Sequence, residues 1–555
     1  MTDKTSEQPT RNPAEAPRDF LPKLVTVLRE GYSAQDFRAD VLAGLTVAIV
    51  ALPLSMAIAI ASGVGPERGL YTTIIGGFLV SALGGSRFQI GGPAGAFIVL
   101  VSACVMQIGL EGLILATFMS GLFLVVAGAL RLGTYIKFIP YPVTVGFTAG
   151  IAVIIFASQM KDLFGLTLTT QEPAEIVHKV SALWGARGTV TPAALAVALA
   201  TIALILGLKR LRPGWPNLLI AIVTAAAVVA VTGLPVETIG SRFGDLPRLP
   251  PSPALPGLSM EAVLAALPYA VSFTLLGAIE SLLSAVVADG MSGGRHRSNA
   301  ELVAQGVANV GSALFGGFCV TGTIARTATN VRAGSRGPVS GMLHALFVLG
   351  FMLLAGPLAA YIPLAALAGL LAVVAWNMAE KEEFWGLLKS SRGDAMVVLV
   401  TFLLVVFRDL TEGIVVGFAL GGLVFIRRMS EAADVETAQV GTWSPDEGGD
   451  RDRVVYRLRG PYFFGAAARL GVVLDRIADY PRAFVIDFTD VPFVDSSGAR
   501  AFELLAHKVA RKGGQLYLIG TRPDVRRDLQ AQGAREPLVR FLPDLDSVDA
   551  AEAAR

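Results

Sequence analysis

Long uninterrupted apolar stretches dominate this chain, and polar residues are confined to the short intervals between them. Such blocks run near 41–61, 69–84, 93–107, 112–131, 139–160, 190–208 and 215–232, and a second set runs near 263–288, 299–315, 322–333, 338–357, 362–378, 394–407 and 411–426. About twenty apolar residues cross the hydrocarbon of a bilayer as one helix, so most blocks predict a span, while the third of each set is too short to cross alone. Short, Gly-interrupted segments at matching places predict an inverted repeat of about fourteen segments, seven and seven, with its site at the midplane. After Met429 the pattern changes. A period-two strand, VVYRLRG, precedes a helical AAARLGVVLDRIADY, and FVIDF, a second helix, QLYLI and a final helical stretch follow. Strands alternating with helices predict a small α/β domain. EAADVETAQVGTWSPDEGGD, acidic and bearing Gly and Pro, reads as a linker. The expected division is a polar segment at 1–35, a membrane domain at 36–430, the linker at 431–450 and the α/β domain at 451–550.

Composition agrees. A chain of 53% hydrophobic residues with mean hydropathy +0.60 is far more apolar than a soluble protein, which makes it an integral membrane protein. No apolar stretch with a small-residue cleavage site precedes Pro22, which argues for a cytoplasmic tail rather than a cleaved signal peptide. Lys and Arg in short loops (Arg131 and Lys137; Lys209, Arg210 and Arg212; Arg295 and Arg297; Lys389 and Arg392; Arg427 and Arg428) all follow even-numbered spans. By the positive-inside rule those loops are cytoplasmic, and so are both termini. A net charge of +2 names no partner, and no nucleic acid is expected. Cys104 and Cys319 lie in apolar segments, and the four histidines are scattered, so neither a metal site nor a cofactor is expected. No nucleophile motif marks an enzyme.

Chemistry concentrates where the two short segments lie. In GGFCVTGTIARTATNVRAG (Gly316–Gly334) the single Arg326 stands at mid-membrane depth. An arginine there costs about 3 kcal/mol even on a lenient scale, so it faces a cavity or a partner. Thr321, Gly322 and Thr323 sit where a helix should begin, and a helix N-terminus with an arginine one turn on suits an anion. The plainer reading pairs Arg326 with a carboxylate that locks two helices. The first-half counterpart is SRFQIGGPAGAFIVLV (Ser86–Val101), in which Pro93 fits a first helical turn and Ala94, Gly95 and Ala96 let a ligand approach the backbone. Its plainer reading is close helix packing through small residues.

Glu280 lies near the centre of the eighth block, and Ser284 one turn on shares its face. A carboxyl group at that depth suits a proton carrier, with Ser284 sharing a hydrogen bond or helping to ligate a cation; the alternative is a structural carboxyl satisfied by backbone or by Arg326. Pro53 bends the first span, and Leu54 and Ile58, one turn apart, could wall the slot or face lipid. In VPFVDSSGARAFELLAHK, Asp495, Ser496, Ser497 and Gly498 fall at a strand-to-helix junction. There an ordinary N-cap competes with a phosphorylation site on Ser496 or Ser497, and spacing favours the cap.

ALPLSMAIAIASGVGPERGLYTTIIGG, SRFQIGGPAGAF, AIESLLSAVVADG, NAELVAQGVANVGSALFGG and VTGTIARTATNVRAGSRGPVSG, in this order, resemble the SulP sulfate permease family, related to the mammalian anion exchangers that include prestin. VDSSGARAF resembles the signature of a STAS domain. The resemblance covers about residues 35–550. It implies core and gate subdomains, a cytoplasmic STAS domain open to a protein partner, and a homodimer. It also implies an anion held between the third and tenth segments by Ala94–Ala96 and by Thr323, Ile324, Ala325 and Arg326, with Leu54 and Ile58 facing them. Glu280 falls where related bacterial members have an acidic residue that couples transport to a cation; sodium-coupled bicarbonate members have Asp there, and Glu leans toward a proton. Ala325 stands where some animal relatives have Ser. The expected function is proton-coupled symport of sulfate, bicarbonate or a C4-dicarboxylate across the inner membrane by alternating access. Sodium coupling, exchange, a nucleobase permease and a membrane-tethered STAS regulatory module are the alternatives.

Overall fold

The structure is a computed structural model that describes residues 19–136, 140–168, 172–173, 175–408, 410–432, 434–437, 453–463 and 483–553. It divides into two compact units, 1–418 and 419–555. Every apolar block becomes helix: α1 (Ala34–Ala61); α2 (Pro66–Tyr71, a π-helical turn Thr72–Gly76, then Gly77–Leu83); α3 (Ile98–Ala129); α4 (Tyr141–Phe164); α5 (Pro192–Leu211); α6 (Asn217–Thr232); α7 (Met260–Ser292); α8 (Ser298–Leu314); α9 (Ile324–Arg332); α10 (Val339–Ala359); α11 (Leu364–Met378); the short α12 (Lys381–Ser390); α13 (Arg392–Phe407); and α14 (Leu410–Ala432). Among the described residues, eight helices are long and apolar enough to cross a membrane. Their starts follow local chemistry. Ser33 and Asp36 close a capping box at the head of α1, and Pro192 takes the first turn of α5, where its missing N–H costs nothing.

Two bundles form within the first unit. In one, α8 and α7 pack on α3, α10 packs on α1 and α2, and α9 lies against α1 and α7. In the other, α11 and α13 pack on α4, α5 packs on α11, and α6 packs on α5. Helices α6 and α11 also meet α1. Small residues let backbones approach: a Cβ on Gly121 of α3 would lie 2.7 Å from the Gly306 carbonyl of α8. The chain is a polytopic α-helical membrane protein with a C-terminal α/β unit.

The second unit holds a five-stranded sheet in the order β3 (Asp434–Thr437), β4 (Arg453–Arg459), β5 (Ala483–Asp490), β6 (Gln515–Ile519), β7 (Val539–Leu542). The pair β3–β4 is antiparallel and the rest are parallel. Helices α15 (Ser496–Arg511), α16 (Pro523–Ala531) and α17 (Leu545–Ala553) accompany it, and Phe484, Phe488 and Phe502 anchor its core.

Several expectations change. The third and fourth blocks are one helix broken at Gly109, whose φ of 72° a side chain would resist. Residues 434–437, inside the expected linker, are β3. The polar N-terminal segment contains a helix, Lys23–Gly31. The final helical stretch resolves into α16, β7 and α17, because β7 is only four residues long and too short for a period-two signal. The helix expected over AAARLGVVLDRIADY lies outside the described residues.

Candidate functional site

The two short segments meet through a pair of two-residue strands. Gly91–Gly92 (β1) pairs antiparallel with Thr321–Gly322 (β2), Gly91 opposite Gly322 and Gly92 opposite Thr321. Glycine is needed at both places: a Cβ on Gly322 would run into the Gln89 side chain, and one on Gly92 into the Arg326 guanidinium. Each strand leads into a helix. After β1, Ala94 is the N-cap of a 3-10 turn, Gly95–Phe97, that continues as α3. After β2, Thr323 is the N-cap of α9. Strand pairing thus sets two helix N-termini side by side.

Neither N-terminus is capped by a side chain. Thr323 occupies the right position, but its hydroxyl donates to the Ile90 carbonyl (3.2 Å), which the Thr323 N–H also reaches (2.9 Å). The first amides of both helices are left to another acceptor, and the partial positive charge at each end favours an anion. Two details differ from expectation. Helix α9 begins at Ile324 rather than at Thr321, since Thr321 and Gly322 serve the strand. Pro93 precedes the N-cap instead of filling the first turn, and its carbonyl accepts from Arg326 Nη2 (3.4 Å).

Arg326 is 1% exposed and crosses behind both helix starts. Nη2 also donates to Ser55 Oγ (3.2 Å) on α1, and Ser55 is hydrogen-bonded to Thr73 Oγ1 (2.7 Å) in the π-helical turn of α2. Its Nε and Nη1 have no hydrogen-bond partner. Among the described residues no carboxylate pairs with it, so the locking ion pair is not what the fold builds. Leu54, Ile58, Ala94 and Ala96 are all buried in one apolar cluster. Ala325 is exposed, and Gly95 and Ile324 are half-buried. From the second bundle, Ile155 of α4 and Met378 of α11 close on Gly95: a Cβ there would lie 3.2 Å and 3.7 Å from them.

Glu280 is buried on α7 with no hydrogen-bond or ion-pair partner among the described residues. Ser284, one turn on, is fully buried and donates to Thr327 Oγ1 (3.0 Å) of α9, an oxygen that also accepts the Ile90 N–H (3.1 Å). Hence α7 is tied to the second helix start through Ser284 rather than through Glu280. In the second unit, Asp495 is the N-cap of α15, accepting from the Gly498 N–H (2.7 Å), as spacing favoured, while Ser496 and Ser497 remain exposed.

Sequence reading passed over three participants. Ser55 and Thr73 were hidden because a small hydroxyl in an apolar span is unremarkable until its face is known. The π-helical turn that turns Thr73 toward Ser55 is the kind of irregularity that gathers at functional sites. Glu380, just after α11, holds a left-handed backbone (φ 40°), a strain of about 1–3 kcal/mol for a residue that is not glycine. Among the described residues it is also a carboxyl group close enough to act electrostatically on Glu280.

The family profile described as the sulfate permease family matches residues 37–401, and the STAS domain profile matches 447–547. YvdB of Bacillus subtilis (strain 168), whose name assigns it provisionally to sulfate transport, is 39% identical over 91% of this chain and 95% of its own. The bicarbonate transporter BicA of Picosynechococcus is 30% identical over 89% and 91%. Among solved structures, the murine Solute Carrier 26 family member A9 anion transporter shares the fold with a TM-score of 0.84 at 19% identity, covering 100% of this chain and 97% of that one. These matches lead to one conclusion: the chain belongs to the sulfate permease family and carries a C-terminal STAS domain.

Proposed function

We propose that this protein is a secondary active transporter of a small oxyanion, with sulfate, bicarbonate and C4-dicarboxylates as the candidate substrates and a proton as the coupling ion. One observation carries the reading: β1–β2 pairing holds two uncapped helix N-termini together, with the Arg326 guanidinium behind them. The amides following Ala94 and Thr323 bind the anion, Ala96, Leu54 and Ile58 form the apolar wall, and Ala325 and Ile324 border the opening. Arg326 supplies fixed positive charge in a water-poor site, where its field is screened little. Names of the similar proteins, with sulfate and bicarbonate among their solutes, support the substrate class. The first bundle moves against the second, exposing the site to each side in turn. The protein works in the inner membrane as a homodimer, with both termini and the STAS unit on the cytoplasmic side. Exposed Ser496 and Ser497 offer that unit a phosphorylation point or partner contact.

Glu280 carries the proton. Buried and unpaired, a carboxyl group is much easier to hold neutral than ionised, so loading and discharge accompany its exposure to water. A sodium-coupled reading is favoured by the hydroxyl of Ser284, one turn from Glu280, and that of Thr327, to which Ser284 is hydrogen-bonded. Proteoliposome uptake of labelled sulfate, bicarbonate, succinate and fumarate, under separately imposed pH and sodium gradients, separates the two. We expect stimulation by an inward proton gradient, and its loss in Glu280→Gln with residual downhill flux retained. Stimulation by sodium alone, or a proton effect that persists in Glu280→Gln, removes the proton-carrier assignment.

A further inference from the structure

Away from the anion site, the first unit contains a cavity of about 480 Å³ between α1 and α10 of one bundle and α6 of the other. Its walls are hydrocarbon and methionine, with Met56 of α1, Ala226 of α6, and Met352 and Gly356 of α10 among them; Tyr361, at one end, is the lining side chain that bears a hydroxyl. Small residues on facing walls create the gap, since alanines follow one another along α6 opposite Gly356. An apolar cavity of about 150 Å³ already stays dry and takes up hydrocarbon, so water is not the natural filling of a space about three times larger. The cavity opens at the surface through lining residues that are themselves exposed, Val223 at 56% and Leu358 at 67%. Neighbouring Leu354 and Val231, each 87% exposed, are apolar as well. Such a surface belongs in the hydrocarbon of a bilayer, which makes acyl chains the matter at the cavity mouth.

We propose that this cavity seats one acyl chain of a membrane phospholipid, which enters tail first and leaves its head group near Tyr361, a residue suited to the membrane–water interface. The position gives the chain a mechanical role. Pro53 and Met56 of α1 line the cavity, while Ser55 between them holds Arg326. A tail wedged at this joint bears on any movement of one bundle against the other. That consequence rests on the transport reading; the seat itself does not.

Full-length protein is reconstituted in phosphatidylcholine bilayers containing a phospholipid with a mid-chain diazirine, photolysed without added solute, and mapped by peptide mass spectrometry. Adducts on Met56, Ala226 and Met352 peptides are expected at several times the frequency found on the lipid-facing Leu122–Val126 stretch of α3. Ala226→Phe and, independently, Ala230→Phe fill the cavity and abolish the excess while leaving adducts on α3 unchanged. Cavity-wall adducts no more frequent than those on α3, or unchanged in both variants, overturn the seat. So does complete displacement by an equimolar free fatty acid, which assigns the space to that ligand instead. No solute is present, so failure here leaves the transport reading intact, and failure of uptake leaves the adducts to be judged alone.

Discussion

Asp487 in the STAS unit and Arg326 in the membrane unit are both buried charges, and the two are treated in opposite ways. In the sheet of the STAS unit, the Asp487 side chain is 8% exposed and well satisfied. Arg457 Nε donates to Oδ2 (2.9 Å), and the Thr489 amide and hydroxyl donate to Oδ1 (2.9 and 2.6 Å). In the membrane unit, Arg326 is more deeply buried, yet two of its nitrogens lack a partner and its bonds go to neutral oxygens. A buried charge with its partners in place is architecture. One left short of counter-charge, beside two uncapped helix ends, is a cost of folding that something outside the chain must offset.

The sharpest way to break this comparison is Arg326→Ala. Losing a buried, charge-assisted contact to the anion is worth about 3 kcal/mol, so uptake in proteoliposomes should fall on the order of a hundredfold or more. Because Arg326 has no carboxylate to orphan, the thermal midpoint should stay level or rise. Undiminished uptake would remove the slot, and a large loss of stability with uptake intact would make Arg326 architecture like Asp487.

Next in size is Gly92→Ala. The added Cβ would sit in the space of Arg326 Nη1, with Thr73 Oγ1 3.5 Å away, so the guanidinium must move off the helix ends. We expect KM for the anion to rise roughly tenfold, from about 1.4 kcal/mol of misplaced charge, with turnover less affected. An unchanged KM would mean that the position of the charge, as distinct from its presence, is unimportant. Ser55→Ala should do less: one hydrogen bond to Nη2 and one to Thr73 are lost, about 1 kcal/mol, giving a KM several-fold higher.

These substitutions also mark what the sequence could and could not tell. The apolar blocks announced the long apolar helices of the membrane unit, because hydrocarbon thickness forces a length and a hydropathy that few other structures share, while the polar helices Lys23–Gly31 and α12 gave no such signal. Arg326, Ala94–Ala96 and Glu280 stood out because charge and bare backbone are costly or rare at that depth. The β1–β2 pair did not: two-residue strands some 230 positions apart carry no periodicity, and only their glycines hinted at close approach. Nor could the hydroxyl of Thr323 be assigned, since capping α9 and bonding Ile90 are chemically equivalent until the strands are paired. Ser55 and Thr73 became meaningful only once the π-helical turn had fixed which way α2 faces. Local chemistry was legible, and pairings across the two halves were not.

Asp487→Asn carries the smallest effect on transport and tests the other side of the comparison. Burial opposes ionisation of this carboxyl, but hydrogen bonds from Thr489 and Arg457 outweigh it and hold the group below the ordinary aspartate range. A carboxylate depressed in this way stabilises the fold fully above the unfolded-state pKa, near 4, and progressively less as the pH falls toward the folded-state value. Amide hydrogen exchange of β5 and β6 in the full-length protein should therefore quicken as the pH drops below about 4, beyond the intrinsic change in exchange rate. In Asp487→Asn the same amides should be less protected by about 1–2 kcal/mol at neutral pH, and that acid-dependent loss should vanish, because no proton remains to be gained. Uptake should be unaltered at temperatures where the sheet stays folded. If protection in the variant matched wild type at neutral pH, the Arg457–Asp487–Thr489 cluster would contribute nothing to the sheet. Burying a fully paired charge would then be as little evidence of architecture as burying an unpaired one.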